Sequence, residues 1–477
     1  MARVVIVGGS LGGLTAAAAL ADEAALVTVL ERDAAPLVRG TSVARRRGTP
    51  QDGHLHTLQC GGVANLEALL PGFAAQMRRL GALEMDRATE LHAMSPAGEL
   101  YHDYETEDGA RDLVFVMTRP VVDAAARAVL REKFPNVTIC WETAARGLRF
   151  DGGGRVAGVA LADGRALDAD LVVDATGRNS ALPAWLAERG LGETPAYSYR
   201  MDLGYSTLIY KLPGDGEHHS RRRGDHLTLC QPQPFRGNHR GGAVVRLTPE
   251  AAANAVLDVD PAATYAMATL WGNFDHQPRC RTAEEATAFM ARLPFAAVAR
   301  VLQNATPVDG PRQFAKREQT WRRFDALPQW PDGLVATGDA VVSLNPAFGQ
   351  GIAVSSKMAL VLRRHARELL LNGAGSPGAA QRCQRELCAQ ARTPFFLNAL
   401  LDGLMPQTTF SGLPLAVPSR LLWPATRLLL HAASKSAVVM AAFMRVADLR
   451  ASVFTLLHPS VVARVLYWAA AWVLTGR

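Results

Sequence analysis

The stretch that most constrains the fold is Gly8-Gly9-Ser10-Leu11-Gly12-Gly13, set between apolar Val4–Val7 and alanine-rich Leu14–Ala21. The apolar run reads as a buried strand and the alanine run as a helix. The glycines between them supply the turn that folds helix back on strand. A second strand, Leu26–Leu30, completes the opening of a βαβ unit. The first glycine permits the tight turn, and the last permits close packing of helix on strand. Ser10 stands at the central glycine position, so backbone approach to a pyrophosphate is slightly more crowded. The N–H groups and positive end of the helix still face the phosphates. Glu31, eighteen residues past Gly13, ends the second strand where a carboxylate can accept both ribose hydroxyls of an adenosine. Gly8, Gly9, Ser10, Gly12, Gly13, Glu31 and its neighbour Arg32 are therefore the expected dinucleotide contacts.

Glu31 alone does not separate FAD from NAD; a second motif does. Leu334-Val335-Ala336-Thr337-Gly338-Asp339-Ala340, then Asn345-Pro346-Ala347-Phe348-Gly349-Gln350-Gly351, lies more than three hundred residues downstream. It repeats the order strand, acid, loop and helix. Gly338 and Asp339 are placed to reach the ribityl hydroxyls of a flavin. Pro346, Gly349, Gln350 and Gly351 open a long helix, Gly351–Leu371, whose positive end would stabilise negative charge on a reduced isoalloxazine.

Taken together, these motifs resemble the group A flavin monooxygenases of the para-hydroxybenzoate hydroxylase fold over roughly residues 1–370. The middle motif of that family reads Asp-Gly. Here the stretch is Asp174-Ala175-Thr176-Gly177-Arg178-Asn179-Ser180, followed by Pro183-Ala184-Trp185-Leu186, with Thr176 at the aspartate of the pair. This form resembles the bacterial epoxidases of polyether biosynthesis, related alkene epoxidases and geranylgeranyl reductase-like flavoenzymes. Thr49-Pro50-Gln51-Asp52-Gly53-His54-Leu55-His56 resembles their PQGRHLH loop, with Asp52-Gly53 in place of Gly-Arg. The resemblance adds Arg46 or Arg47, Arg119, Asp174 and Gly177 to the FAD contacts. His54 and His56 alternate as strand neighbours, and flavin-proximal packing is favoured over acid/base work. No third ligand accompanies them, so no metal is expected. Halogenases share the fold but carry Trp-x-Trp-x-Ile-Pro, which Leu270–Asp275 does not match.

The implied fold class is α/β: a Rossmann-like, glutathione reductase-type FAD domain with an inserted, mostly antiparallel β substrate domain and a C-terminal helical region. The expected divisions are 1–186 and 311–372 for the FAD domain, 187–310 for the substrate domain and 373–477 for the helices. Within 187–310, Leu203–Leu212, His226–Cys230 and Ala243–Leu247 alternate in the manner of antiparallel strands. Elsewhere, Arg119–Leu130 reads as a helix with Pro120 in its first turn, and Val156–Leu161 pairs with Arg165–Asp168 through Asp163-Gly164. In the last hundred residues Pro406, Pro414, Pro418, Pro424 and Pro459 are expected to break the helices.

The resemblance implies FAD as cofactor, reduced by NADPH or NADH or through a partner reductase. A flavin C4a-hydroperoxide would then pass one oxygen atom of O2 to an apolar substrate, most plainly by epoxidising an alkene. Aromatic hydroxylation, or reduction without oxygen insertion, are the rival readings. No catalytic side chain is identifiable, in keeping with chemistry that the cofactor carries. The pocket is expected between the inserted sheet and the flavin face, with C-terminal helices as a wall and Tyr205, Tyr210, Phe274 and Phe348 as candidate linings.

Partners other than small molecules are constrained by charge and hydropathy. The net charge of +7 comes almost wholly from arginine, and Arg45-Arg46-Arg47 and Arg221-Arg222-Arg223 lack interleaved aromatics, so nucleic acid is not implied. The six cysteines form no CxxC pair and no signal peptide is recognisable, which fits a reduced cytoplasmic protein. The apolar run Val4–Ala21 holds too many glycines for a membrane span. Val465–Gly476, with Trp468 and Trp472 on one helical face, is too short to span and reads first as a core helix, with shallow contact with a membrane surface as the second reading.

Overall fold

The computed structural model describes residues 2–475 apart from 41, 101–103, 105–110, 214–225, 249–250, 254–259, 261, 374 and 414–417. The cluster Arg221–Arg223 and Pro414 therefore lie outside the described residues.

In chain order the main strands are β1 (Ala2–Val7), β2 (Ala24–Leu30), β3 (Val137–Cys140), β4 (Leu171–Asp174), β5 (Ala196–Lys211), β6 (Leu227–Cys230), β7 (Arg240–Leu247), β8 (Tyr265–Asn273), β9 (Thr306–Arg322) and β10 (Leu334–Ala336). The main helices are α1 (Leu11–Leu20), α2 (Arg119–Lys133), α3 (Gly351–Leu370), α4 (Ala379–Asp402), α5 (Pro418–Ala433), α6 (Ala437–Ala447) and α7 (Pro459–Thr475).

A five-stranded parallel sheet in the order β3-β2-β1-β4-β10 forms the first layer. Val7 lies opposite Asp174, and Asp174 opposite Ala336, so β1, β4 and β10 end at one edge. Their side chains are apolar on both faces because helices cover both, as parallel sheets require. Val4, Ile6, Val172, Val173, Leu334 and Val335 are buried in a core that α1, α2, α3 and α4 share.

The second sheet is mostly antiparallel. Its order is Val342–Ser343, β9, β5, β8, β7, β6, Leu91–Ser95 and Gly98–Glu99, with Thr409–Ser411 added against β5. Among the described residues only the pairing of β6 with Leu91–Ser95 is parallel. The sheet thus draws in residues 91–99 and carries β9 across position 310, to either side of the 187–310 insert. Alternation along β5 sorts the two faces. Leu203, Tyr205 and Ile209 join the main core, whereas Leu208, Tyr210 and Leu212 join a second cluster under short helices at Ala283–Met290 and Ala297–Val301. The class expected from the sequence, α/β with an antiparallel sheet and C-terminal helices, is the fold observed.

The prolines behave unevenly. Pro418 and Pro459 begin helices, where a missing N–H costs nothing. Pro424, expected to break its helix, lies inside α5 instead, on its exposed side. Pro394 likewise sits within α4.

The C-terminal helices are fastened to the rest by charge. Arg87, buried, donates to both oxygens of Asp448 at 2.7 and 2.6 Å and also to Asp112; Arg450 reaches Asp112 at 2.6 Å. Cys60 Sγ and an oxygen of each carboxylate lie within 4.8 Å of one another, but these arginines already compensate the acids, so the cluster is an ion-pair network. Replacing Arg87 with Met leaves the two buried carboxylates to Arg450 alone and is expected to destabilise the protein by about 3–5 kcal/mol. Urea denaturation checks this; a loss below about 1 kcal/mol, the scale of an exposed pair, would remove the network from the list of structural ties.

Candidate functional site

The parallel sheet and the antiparallel sheet flank one large cavity of about 1250 Å³. That exceeds the roughly 300–1,000 Å³ common for a single small-molecule site, leaving room for a dinucleotide and a second molecule. Its walls fall into a polar half at the strand ends and an apolar half under the C-terminal helices.

At the polar end, β1 turns into α1 through Gly8, whose φ of 111° is open to glycine; a Cβ there would lie 2.4 Å from the Ala175 carbonyl oxygen. A Cβ on Gly13 would lie 1.8 Å from the Gly8 carbonyl oxygen. Gly13 therefore serves helix–strand packing and does not line the cavity, whereas Gly8, Gly9, Ser10 and Gly12 do. Ser10 caps no N–H of α1, which leaves the first turn open toward the cavity. Its hydroxyl donates instead to Asp123 at 2.9 Å and accepts from Arg119 at 3.2 Å.

Glu31 is buried and more committed than the sequence suggests. It accepts from Gly9 N at 3.1 Å, Asp33 N at 3.0 Å and Arg46 Nη1 at 2.8 Å. Of a carboxylate's roughly four acceptor positions, three are taken. Room remains for one ribose hydroxyl more readily than for two. Arg46 also donates to Asp123 at 2.9 Å, so it bridges Glu31 to α2. Burial opposes ionisation of Asp123, but Arg119 and Arg46 outweigh it and hold the carboxyl below its ordinary range. Asp52, where the resembled loop has glycine, accepts from Arg46 N at 3.0 Å and from the Thr49 hydroxyl, pinning the loop that carries Arg46. Arg32 and Arg47 line the cavity as exposed residues.

Two observations fit this end to an anionic dinucleotide. Arg119 Nη1 is buried without a hydrogen-bond partner among the described residues, beside the open N-terminus of α1. Asp339 is exposed in the cavity wall, on the turn that follows β10. Gly177, Gly338, Pro346, Gly349 and Gly351 line the same space. Asp174 does not: it is buried and accepts from Thr176 N and Oγ1 and from the Ser180 hydroxyl, which shapes the 175–180 loop. Gln350 lines the cavity, yet its side chain turns away, donating to Ala447 O at 2.7 Å and accepting from Asn398 at 2.7 Å.

His54 and His56 both line the cavity. His54 Nδ1 is 2.8 Å from Thr207 Oγ1, which pairs with Thr269 Oγ1 at 2.8 Å. Burial, with Arg312 nearby, pushes the His54 imidazole down to about 4; burial and Arg119 do the same for His56. Both are neutral at physiological pH and packed against the site.

The sheet contributes a row set by strand register. Tyr205 lies opposite Trp271 on β8 and Phe314 on β9, with ring centroids 6.4 and 6.0 Å away, and His54 is 5.9 Å from Tyr205. The C-terminal helices close the far side with Leu401, Leu404, Met405, Trp423, Leu430, Met440 and Phe443. Of the aromatic candidates, Tyr205 and Phe348 line the cavity, Tyr210 belongs to the second core cluster and Phe274 lines neither.

Sequence reasoning missed two features. Asp123 is the hub for Ser10, Arg46 and Arg119; its one visible signal was its i,i+4 spacing from Arg119. A second polar cluster joins Lys316, Asn345, Asp402 and Tyr199. Lys316 donates to Ser343 and to Leu344 O at 2.6 Å, and burial lowers its ammonium to about 8. Asp402 accepts from Asn345 at 2.9 Å and Tyr199 at 3.0 Å; burial raises its carboxyl to about 7, against those bonds. No local pattern ties residue 316 to residue 402.

Residues 3–194 match the family model described as FAD dependent oxidoreductase. Protein Rv3254 of Mycobacterium tuberculosis is 28% identical across 86% of this chain and 82% of its own length. Among solved structures, PqsL of Pseudomonas aeruginosa, a probable FAD-dependent monooxygenase, superposes at TM-score 0.55 with 19% identity, covering 85% of this chain and 97% of its own. The flavin-dependent brominase Bmp2 superposes at 0.59 with 14% identity over 94% and 93%. Over residues 3–194 the chain thus resembles FAD-dependent oxidoreductases, and it shares the fold of PqsL and Bmp2. Among the described residues no helix is long and apolar enough to cross a membrane.

The histidines give a pH dependence. The folded-state pKa of His54 lies below its unfolded value of 6.5, so above that pH it contributes nothing to the slope. As pH falls from about 6.5 toward 4, the unfolded chain takes up a proton that the folded chain refuses, and stability is lost. Denaturant titrations at several pH values are expected to show this decline, with a shallower one in His54→Gln; equal slopes would place the imidazole in water.

Proposed function

We propose that this enzyme uses FAD and a nicotinamide reductant to insert one oxygen atom from O2 into an apolar small molecule, with alkene epoxidation as the preferred reaction. The observation that carries the reading is the single cavity whose polar end suits a flavin dinucleotide and whose other end is apolar and aromatic. Bound FAD would supply two-electron reduction and activation of O2. The balance is alkene, O2, NAD(P)H and a proton giving epoxide, water and NAD(P)+: one O–O bond breaks and two C–O bonds form.

Each part of the chain has a task in this scheme. The open turn of α1 and the unspent Arg119 nitrogen would face the diphosphate, and Glu31 a ribose hydroxyl. Asp339 would accept from the ribityl chain. The N-terminus of α3 at Gly351 would stabilise negative charge on the reduced ring system. Tyr205, Trp271, Phe314 and the C-terminal helices would hold the substrate and exclude water.

Those three aromatic side chains also suit a flat ring, which favours aromatic hydroxylation as the second reading.

Incubation with NADPH and 18O2 separates the readings. One labelled oxygen is expected in the product from an acyclic polyene, with NADPH consumed in step. Label only with a phenol would select hydroxylation, and NADPH consumption with an unlabelled, reduced product would replace oxygen insertion by reduction. Arg119→Met is expected to weaken FAD binding about tenfold or more, the worth of a charge-assisted hydrogen bond. Flavin retained after exhaustive dialysis reads this, and wild-type retention would detach Arg119 from the diphosphate.

A further inference from the structure

Beyond Arg464, the outermost C-terminal helix, α7, is apolar around its whole circumference. Its inner side packs through Val461 and the half-buried Val465, Trp468 and Trp472. A second stripe, Ala463, Leu466, Tyr467, Ala470, Val473 and Leu474, faces outward at helical spacing. Leu466 is 64% exposed, Tyr467 66%, Val473 83% and Leu474 84%. A helix with no polar face is ordinarily buried in protein or in lipid. The neighbouring segments continue the pattern, with Leu421 on α5 73% exposed and Phe454, just before α7, also 73% exposed.

Charge points to the occupant. From Pro418 to the end of the chain the sequence carries Arg420, Arg427, Lys435, Arg445, Arg450, Arg464 and Arg477 against a single acid, Asp448. That acid is buried and, together with Asp112, is neutralised by Arg87 and Arg450, which leaves the charge of the other six cations in excess within this stretch. Arg464, exposed, adjoins the outward stripe. Arg427 lies 4.4 Å above the Trp472 ring, which also stacks on His431 at 5.0 Å. Apolar residues flanked by cations and amphipathic aromatics match the boundary between lipid headgroups and acyl chains. An apolar protein partner would account for the stripe but not for the one-sided charge.

We propose that the outward face of α7, with the exposed residues of α5 and the 453–457 turn, docks this enzyme on an anionic lipid bilayer. The docking is peripheral. α5 and α6 stand between that face and the apolar half of the cavity, contributing Trp423, Leu430, Met440 and Phe443 to its wall. A docked molecule would therefore hold the apolar end of its cavity against the compartment where apolar molecules dissolve.

The test is co-sedimentation of the full-length, FAD-loaded enzyme with vesicles of equal parts phosphatidylcholine and phosphatidylglycerol. The enzyme is expected to sediment with these vesicles and several-fold less with pure phosphatidylcholine. The double variant Leu466→Asp, Val473→Asp should lose binding about tenfold or more while keeping its flavin absorbance. Arg464→Glu leaves the apolar stripe intact and should weaken binding to the anionic vesicles about fivefold. Failure to sediment with anionic vesicles, or wild-type binding by the variants, would overturn the proposal. So would an enzyme that elutes as a dimer and becomes monomeric with Leu466→Asp, Val473→Asp, since a second copy would then cover the face.

Discussion

Three backbone hydrogen bonds at one edge of the parallel sheet set the position of everything around the cavity. Gly8 N donates to Leu30 O, Ala175 N to Val7 O and Thr337 N to Asp174 O, each at 2.9 Å. Each bond joins the residue just past one strand to the end of its neighbour. They bring the turns after β1, β4 and β10, scattered over more than three hundred residues, to a common line. Register is strict because β4 and β10 are buried along their whole length and β1 nearly so, and a slip would carry the turns out of alignment with the helices behind them. The glycines follow from this crowding. Gly8 has Ala175 against it, and Gly13 has Gly8, so a side chain at either place would push the sheet edge and α1 apart.

Behind that edge lies a cost that the fold accepts. Arg46, Asp123, Glu31 and Arg119 are buried together, and buried charge is expensive unless each group is met. Arg46 is fully engaged, between Glu31 and Asp123. Arg119 is not, and neither is Arg127, which also leaves a buried guanidinium nitrogen without a hydrogen bond among the described residues. A cluster built only for stability would close these valences. One that leaves positive valences open beside a helix N-terminus is arranged to be completed by an anion.

What could be read from the sequence divides along lines of distance. The Gly8–Gly13 turn, Glu31 and the Gly338–Gly351 motif were legible because strand, turn and helix are each written within a few residues. Asp174 was legible as a strand end, but its use on Thr176 and Ser180 depends on how the 175–180 loop curls back. Gln350 sits in the motif, yet its amide is spent on Ala447 and Asn398, which periodicity cannot reveal. The same holds for Lys316 and Asp402: each is a charged residue in an otherwise ordinary element, and they meet only once β9 and α4 are packed. Residues 91–99 lie far upstream of the inserted sheet, and their pairing with β6 left no mark in either segment.

The network around Gln350 also bears on how the two halves of the cavity are coupled. The last carbonyls of α6 lack partners within their own helix. Ala447 O takes the amide of Gln350, which stands at the N-cap of α3, and Leu449 O, just beyond α6, takes the ammonium of Lys357 within α3. Arg87 then fixes the adjoining Asp448 to the N-terminal part of the chain. The wall that would enclose a substrate is therefore anchored on the helix whose N-terminus lines the cavity at Gly351. Rigid seating of these elements is what differential stabilisation of a transition state requires, since misplacement by about 1 Å can cost a hundredfold in rate. The C-terminal helices are thus part of the same rigid site as the glycine turns, although the chain reaches them only after both nucleotide motifs are complete.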